Sequence, residues 1–179
     1  MKAFFDKMKG GAQIPPRMSM RDIVYTLFCS FIGIGACSYL SYRFFEPRDL
    51  TLIIGSMGAS AVLVYGAIKS PFAQPRNLVG GHIISGLVGV MSFSILPDHI
   101  LLASTVAVSF AIAAMAITRT VHPPGGATAL IAVIGGDKIH HLGFLYPFIP
   151  AGAGATVLLI VGLILNNIPR DRRYPEYWW

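Results

Sequence analysis

The chain has 179 residues, a length that suits one domain. Its residues are 54% hydrophobic and 12% charged, and its mean hydropathy is +0.64, whereas a typical soluble domain is about 25% charged. This composition excludes a soluble enzyme, a disordered region and a DNA-binding module, and it indicates a membrane protein without a nucleic-acid partner. The formal net charge of +6 then has a topological explanation, because cytoplasmic loops of membrane proteins collect Lys and Arg.

Six apolar segments follow one another along the chain. A membrane-spanning helix needs about 20 mostly apolar residues, and four segments meet this need without Asp, Glu, Lys or Arg: 23–42, 50–68, 78–96 and 100–118. The fifth, 125–136, is too short to cross a bilayer as a straight helix, and the sixth, 142–168, contains Pro147 and Pro150, which break a helix. We predict an all-α membrane protein of about six transmembrane segments, two of them broken or short half-helices.

Basic residues predict the orientation. A six-crossing arrangement places eleven Lys and Arg inside (Lys2, Lys7, Lys9, Arg17, Arg21, Lys69, Arg76, Arg119, Arg170, Arg172 and Arg173) and three outside (Arg43, Arg48 and Lys138). This bias predicts a cytoplasmic segment at 1–22, a transmembrane domain at 23–168 and a cytoplasmic tail at 169–179.

Two smaller features accompany this topology. Aromatic residues of the tail suit a belt at the cytoplasmic interface: Tyr174, Tyr177, Trp178 and Trp179. Cys29 and Cys37 lie eight residues apart in the first apolar segment, too far apart for a disulfide within one helix, so we expect buried free thiols.

The second and fifth segments contain similar sequences. Residues 58–63 (GASAVL) align with 126–131 (GATALI) at an offset of 68, and each follows a run of small or helix-breaking residues. The two copies are three segments apart in chain order, so they would cross in opposite directions, as in transporters built from two inverted halves of three segments. The alternative is that Gly and Ala recur because small residues let membrane helices pack closely.

The tract from Arg119 to Thr128 (RTVHPPGGAT) predicts a helix that begins inside the membrane. Proline is tolerated in the first helical turn, and glycine lets a ligand approach the backbone. Amide groups at such a helix start lack partners and carry partial positive charge, so they can bind an anion. We expect the second segment to present a similar helix end, so that two N-termini face each other near the bilayer midplane.

These arguments select two groups of site residues. The candidate anion-binding residues are His122, Pro123, Pro124, Gly125, Gly126, Ala127 and Thr128, with Gly55, Ser56, Met57, Gly58, Ala59 and Ser60 opposite them. The candidate gating or pathway residues are His82, Arg76, Asn77 and Arg119. Each has an alternative role: His122 as a cap of the broken helix, His82 as a partner of a neighbouring helix, and the arginines as interfacial anchors.

Other polar residues carry less information. His140 and His141 lie beside Asp137 in an outer loop, where we expect surface residues and no metal or cofactor. The apolar segments contain no carboxylate, so a coupled proton would have to bind His122 or His82, since the unperturbed pKa of histidine is about 6.5.

Three motifs resemble the HPP family of integral membrane proteins: HPPGGATA at 122–129, GSMGASA at 55–61 and QPRNLVGGH at 74–82. The resemblance covers roughly residues 20–179 and implies transport of nitrite, with which plastid and cyanobacterial members are associated. It also implies a bacterial or cyanobacterial inner (plasma) membrane as the expected location. We therefore expect a non-enzymatic transporter of a small inorganic anion, nitrite, in a lipid bilayer, with a homodimer as one oligomeric form. The alternative is a membrane sensor or scaffold without transport activity.

Overall fold

The structure is a computed structural model that describes residues 2–8, 14, 16–46 and 52–179. The predictions made for Lys9, Arg48 and the first two residues of the second apolar segment lie outside the described residues.

The regular elements of the described ranges are all helical. The α-helices are α1 (Lys2–Met8), α2 (Met20–Leu40), α3 (Gly55–Ala61), α4 (Pro75–Ile95), α5 (Ile100–Ile117), α6 (Pro123–Ile134), α7 (Asp137–Leu142) and α8 (Ala153–Leu165). Turns of π-helix extend α2 over Ser41–Phe45, extend α3 over Val62–Gly66 and precede α8 over Pro147–Gly152, and 3-10 helices cover Pro71–Ala73 and Gly143–Leu145.

Four helical stretches are long and apolar enough to cross a membrane: Met20–Phe45, Pro75–Ile95, Ile100–Ile117 and Pro147–Leu165. These spans confirm the prediction of an all-α membrane protein, and α6 is the short apolar helix expected of the fifth segment. The sixth segment is broken as predicted, because Ile149 before Pro150 has non-helical backbone angles (φ −132°, ψ 113°).

The second apolar segment is shorter as a helix than predicted. It is helical only over residues 55–66, about 18 Å at 1.5 Å per residue, against a hydrocarbon core of about 30 Å. Ile54 before it is extended, and Ala67 after it leaves the helical region (φ −131°, ψ 51°). The second and fifth segments therefore both form short helices.

Basic side chains and chain ends meet at one end of the bundle, which we call the basic end. Arg21 at the start of α2 pairs with Asp171 beyond α8 at 3.1 Å. Arg76 at the start of α4 donates to the Thr118 carbonyl after α5 at 2.8 Å. The first and last of the long apolar helices therefore have their outer termini at the same end of the bundle.

The C-terminal tail packs under the basic end, so the expectation that Tyr174 belongs to an interfacial aromatic belt is wrong. Its ring is 2% exposed and its hydroxyl donates to the Ala73 carbonyl at 2.6 Å. The Glu176 amide donates to the side-chain oxygen of Gln74 at 2.8 Å. The tail therefore holds the loop before α4, whereas Trp178 and Trp179 remain exposed.

We expect Tyr174→Phe to lower the melting temperature of the protein in detergent. The change leaves the Ala73 carbonyl without this donor, at a cost of about 1–3 kcal/mol. Burial raises the pKa of Tyr174, so the effect should persist at mildly alkaline pH. The matched control is Tyr177→Phe, whose half-exposed hydroxyl makes a longer bond of 3.4 Å to Pro71. Equal melting temperatures for both variants would contradict the assignment.

Candidate functional site

The two short helices, α3 and α6, lie side by side in opposite directions. Ser56 in the first turn of α3 contacts Thr128 in the second turn of α6, and Ser60, one turn further along α3, contacts His122 at the start of α6. The arrangement differs from the expected one, in which the two N-termini faced each other end to end. The helices overlap because small residues on both allow lateral contact.

The start of α6 offers few free amide groups. His122 is the extended N-cap residue (φ −138°, ψ 106°), and the prolines that follow it have no N–H to donate. The Gly125 amide donates to the His122 carbonyl at 2.7 Å. Side chains therefore supply the donors around this helix start, and anion binding by the amides of Gly126 and Ala127 stays a prediction.

On α3 the predicted residues divide between two environments. Ser56, Met57 and Ser60 are buried, whereas Gly55, Gly58 and Ala59 are exposed on the outer side of the helix. The structure thus brings two hydroxyl groups of α3 towards α6.

His122 links the basic end to the interior of the bundle. Its Nδ1 lies 2.7 Å from the carbonyl oxygen of Phe72, in the loop before α4, and its Nε2 lies 2.8 Å from Ser60 Oγ. A carbonyl can only accept a hydrogen bond, so Nδ1 of His122 carries a proton.

His82, on α4, continues the chain of hydrogen bonds. Its Nε2 also contacts Ser60 Oγ, at 2.7 Å, and its Nδ1 lies 2.7 Å from Thr128 Oγ1. The Thr128 hydroxyl donates to Ser56 Oγ at 2.9 Å. We call these five residues the histidine–hydroxyl cluster: Ser56, Ser60, His82, His122 and Thr128.

The two imidazole rings meet because the residue before His82 is glycine. Their centroids are 5.0 Å apart, and the ring planes are tilted by 59°. A Cβ atom at Gly81 would lie 2.5 Å from His122 Cβ and 2.8 Å from the Thr120 carbonyl. Any larger residue at this position would push α4 away from His122.

The cluster is fully buried and fully hydrogen-bonded. Each of its five side chains has 0% exposure, and among the described side chains the one buried polar atom without a partner is Nε of Arg172, outside the cluster. His82 lies seven residues into α4, about 10 Å along the helix. A buried polar cluster at this depth is costly unless satisfied, and in membrane segments such groups commonly mark functional sites.

Comparison with known proteins identifies the family. Residues 15–175 match the sequence profile of the HPP transmembrane region. The chain belongs to the HPP transmembrane family. Two Dictyostelium discoideum proteins, each named only as a transmembrane protein, are 43% and 41% identical to it over 98% and 92% of its length.

This HPP chain spans 57% and 59% of the length of these two relatives. No solved structure gives a significant match. The relatives come from an amoeba, so they lend no support to the expected bacterial or cyanobacterial membrane, while membership of the family supports an integral membrane protein.

Two of the remaining gating candidates of the HPP chain, Arg76 and Asn77, hold the loop before the His-Pro-Pro motif, and the third, Arg119, lies in that loop. Arg76 donates to the Thr118 carbonyl and Asn77 to the Val121 carbonyl, each at 2.8 Å. Arg119 is exposed and has a left-handed backbone (φ 56°). These three residues therefore lie outside the cluster, whereas His82 lies within it.

Sequence reasoning missed two participants. The Phe72 carbonyl contacts His122, and the buried Tyr146 hydroxyl donates to the Thr128 carbonyl at 2.9 Å. Pro71 and Pro75 signal the loop that presents the first of these groups, but a backbone carbonyl has no residue-specific signature. Sequence offers no comparable signal for the contact of Tyr146.

The outer histidines and the cysteines have local roles. His140 stacks on Phe93 with 3.8 Å between ring centroids, and His141 lies 2.7 Å from the Asp137 carbonyl. No group of three or more metal-ligating side chains occurs in the part of the chain that the structure describes. Cys29 and Cys37 are free and buried, as predicted.

Proposed function

We propose that the chain carries a small inorganic anion across the membrane, without catalysis, and that the histidine–hydroxyl cluster is the site through which the anion passes. The observation that carries the proposal is a buried group of imidazole and hydroxyl side chains inside a membrane bundle. Nitrite is the proposed anion because the His-Pro-Pro motif resembles that of nitrite-associated members of the family.

The chemistry of the cluster suits an anion better than a cation. Imidazole N–H and hydroxyl groups donate hydrogen bonds to oxyanions, and the positive end of the α6 dipole begins next to His122. No carboxylate is hydrogen-bonded to the cluster within the described ranges, so a cation would lack its usual counter-charge there. Every side chain of the cluster is closed off from solvent, so transport requires α3 and α6 to separate and admit the ion.

We further propose six crossings arranged as two inverted halves, with both termini in the cytoplasm. Ser60 and Thr128 are equivalent positions at the offset of 68, and both contact His82 at 2.7 Å. The antiparallel course of α3 and α6 supports the same interpretation. The basic end, where the outer termini of α2 and α8 meet, would face the cytoplasm under the positive-inside rule.

The second candidate function is that of a membrane sensor or scaffold. The observation that favours it is that the cluster is already closed and satisfied by its own hydrogen bonds, as a purely structural network would be. Flux measurements separate the two candidates.

The test is uptake of nitrite into proteoliposomes of the purified chain, with empty liposomes as the control. We expect saturable uptake above the control, with nitrate, formate and bicarbonate tested as competitors. Absence of protein-dependent flux for all four anions would reject transport and leave the sensor or scaffold function.

A further inference from the structure

The hydrogen-bond geometry of the cluster limits the arrangements in which its two imidazole rings can hold protons. Two neutral rings carry one N–H each, and their other two nitrogens must accept hydrogen bonds. Among the described residues, the four ring nitrogens face Phe72, Ser60 and Thr128. The partners therefore decide which nitrogens can be acceptors.

Nδ1 of His122 is a donor in this geometry, because it faces the Phe72 carbonyl, which has no hydrogen to give. Nδ1 of His82 faces Thr128 Oγ1, and its role depends on that hydroxyl. The Thr128 hydrogen can be directed at Ser56 Oγ, at the Pro124 carbonyl or at Nδ1 of His82. In the first two cases the Thr128 oxygen is an acceptor for His82, and in the third it is a donor.

Both Nε2 atoms face one hydroxyl group. Ser60 Oγ lies 2.7 Å from Nε2 of His82 and 2.8 Å from Nε2 of His122. Because a hydroxyl has one hydrogen, it can donate to one of these nitrogens at most, or to the Ser56 carbonyl at 3.1 Å. Two neutral rings satisfy every contact when Thr128 donates to Nδ1 of His82. Nε2 of His82 then donates to Ser60, which donates to Nε2 of His122. When Thr128 donates to Ser56 instead, Nδ1 of His82 can carry a third N–H, so the cluster can take up one proton without losing a hydrogen bond.

This additional positive charge has no counter-charge in the surrounding elements. Helices α3, α5, α6 and α8 contain no Asp, Glu, Lys or Arg. On α4, Arg76 is directed to the Thr118 carbonyl. The titratable group from the segment before α8 is the Tyr146 phenol, which donates to the Thr128 carbonyl.

We propose that the cluster binds one proton together with one anion, so that transport is electroneutral proton–anion symport. This inference rests on the proposed function and names the co-substrate of the same site. On one side of the membrane, a ring nitrogen takes up a proton and the cluster binds an anion. Both are then released together on the other side. The rings return to two neutral imidazoles, and no net charge crosses.

The coupling follows from the cost of each species alone. Without the proton, the two rings are neutral, so a bound anion would be an unpaired buried charge. With the proton but without the anion, a buried charge is unpaired, which is strongly unfavourable in a membrane interior. Each ligand therefore increases the affinity for the other, and by linkage the two effects are equal.

The experiment measures initial rates of nitrite uptake into proteoliposomes, with the rate of empty vesicles subtracted to remove diffusion of nitrous acid. One arm makes the outside one pH unit more acidic at zero membrane potential, and the other imposes a potassium diffusion potential at equal pH. We expect the pH gradient to raise the protein-dependent rate several-fold, and the potential to leave it unchanged.

The outcomes separate the two proposals. A rate that responds to the potential and not to the pH gradient would overturn proton coupling and uphold anion transport. Absence of protein-dependent uptake under either force would overturn both. A rate that responds to the pH gradient and not to the potential supports both.

A pair of variants tests the proton count within the cluster. Thr128→Val removes the oxygen that accepts from Nδ1 of His82 and donates to Ser56, so we expect the response to the pH gradient to be lost. Thr128→Ser keeps the hydroxyl and should retain the response. The same gradient response in Thr128→Val and the wild type would overturn the role of this hydroxyl in proton binding, provided that both proteins elute as one folded species.

Discussion

Replacing His122 by alanine is expected to lower nitrite uptake about tenfold to a hundredfold while leaving the bundle folded. The variant removes a ring that contacts both Phe72 and Ser60, at 2.7 and 2.8 Å. Loss of a hydrogen bond to a charged group costs about 1.5–3 kcal/mol, and about 1.4 kcal/mol corresponds to a factor of ten. Uptake into proteoliposomes at matched protein content measures the effect.

The control for this variant is His141→Ala. His141 is exposed, and its ring bonds to the carbonyl of Asp137 in its own helix, away from the cluster, so uptake should match the wild type. Because the alanine leaves the Phe72 carbonyl without its donor, His122→Gln provides a second variant of comparable size that can donate but carries no ring proton. Normal uptake by both His122 variants would remove this residue from the mechanism.

Substituting Gly89 by alanine is expected to destabilise the fold by about 1–3 kcal/mol, the usual cost of overpacking a closely packed interface. The added Cβ would lie 2.5 Å from the Ala129 carbonyl oxygen and 2.7 Å from Ala132 Cβ. Since the first of these atoms belongs to the backbone, α4 and α6 must move apart. The melting temperature in detergent should fall, and uptake should fall with it because α6 carries Thr128.

Gly35→Ala is the matched control, since it is also a glycine-to-alanine change within a long apolar helix. Nothing lies within 4 Å of a Cβ atom at this position. Its higher helix propensity should leave stability equal or raise it by up to about 1 kcal/mol. If Gly89→Ala melted at the temperature of Gly35→Ala, α4 and α6 could not be as close as described.

Much of the helical framework was predictable because it depends on local sequence. Uncharged apolar runs predicted the helices now found at 20–45, 75–95 and 100–117, and the break at Pro150 followed from proline stereochemistry. The second segment was misjudged, since its apolar run covers 50–68 while its helix begins at residue 55 and ends at residue 66. Hydropathy reports the burial of a segment, and it does not report where the backbone leaves the helix.

The candidate site was predictable in its residue types and not in its assembly. The proline and glycine tract predicted a helix start at about Pro124, one residue beyond the observed start at Pro123, and the likeness of 58–63 to 126–131 selected Ser60 and Thr128. The side-by-side contact of α3 and α6, however, joins residues 62 and 72 positions apart. Contacts across such separations depend on helix packing, which leaves no periodic signal in one sequence.

By itself, the sequence determined that the chain is a helical membrane protein with a basic end, a short helix beginning at an HPP motif and a set of candidate side chains. These features were predictable because hydropathy, charge and proline geometry act over a few neighbouring residues. Only the tertiary structure decided that His82 bridges Ser60 and Thr128, that the Phe72 carbonyl contacts His122, and that Tyr174 is buried. The physical reason is that hydrogen bonds in a membrane interior must be satisfied by whichever groups packing brings within about 3 Å.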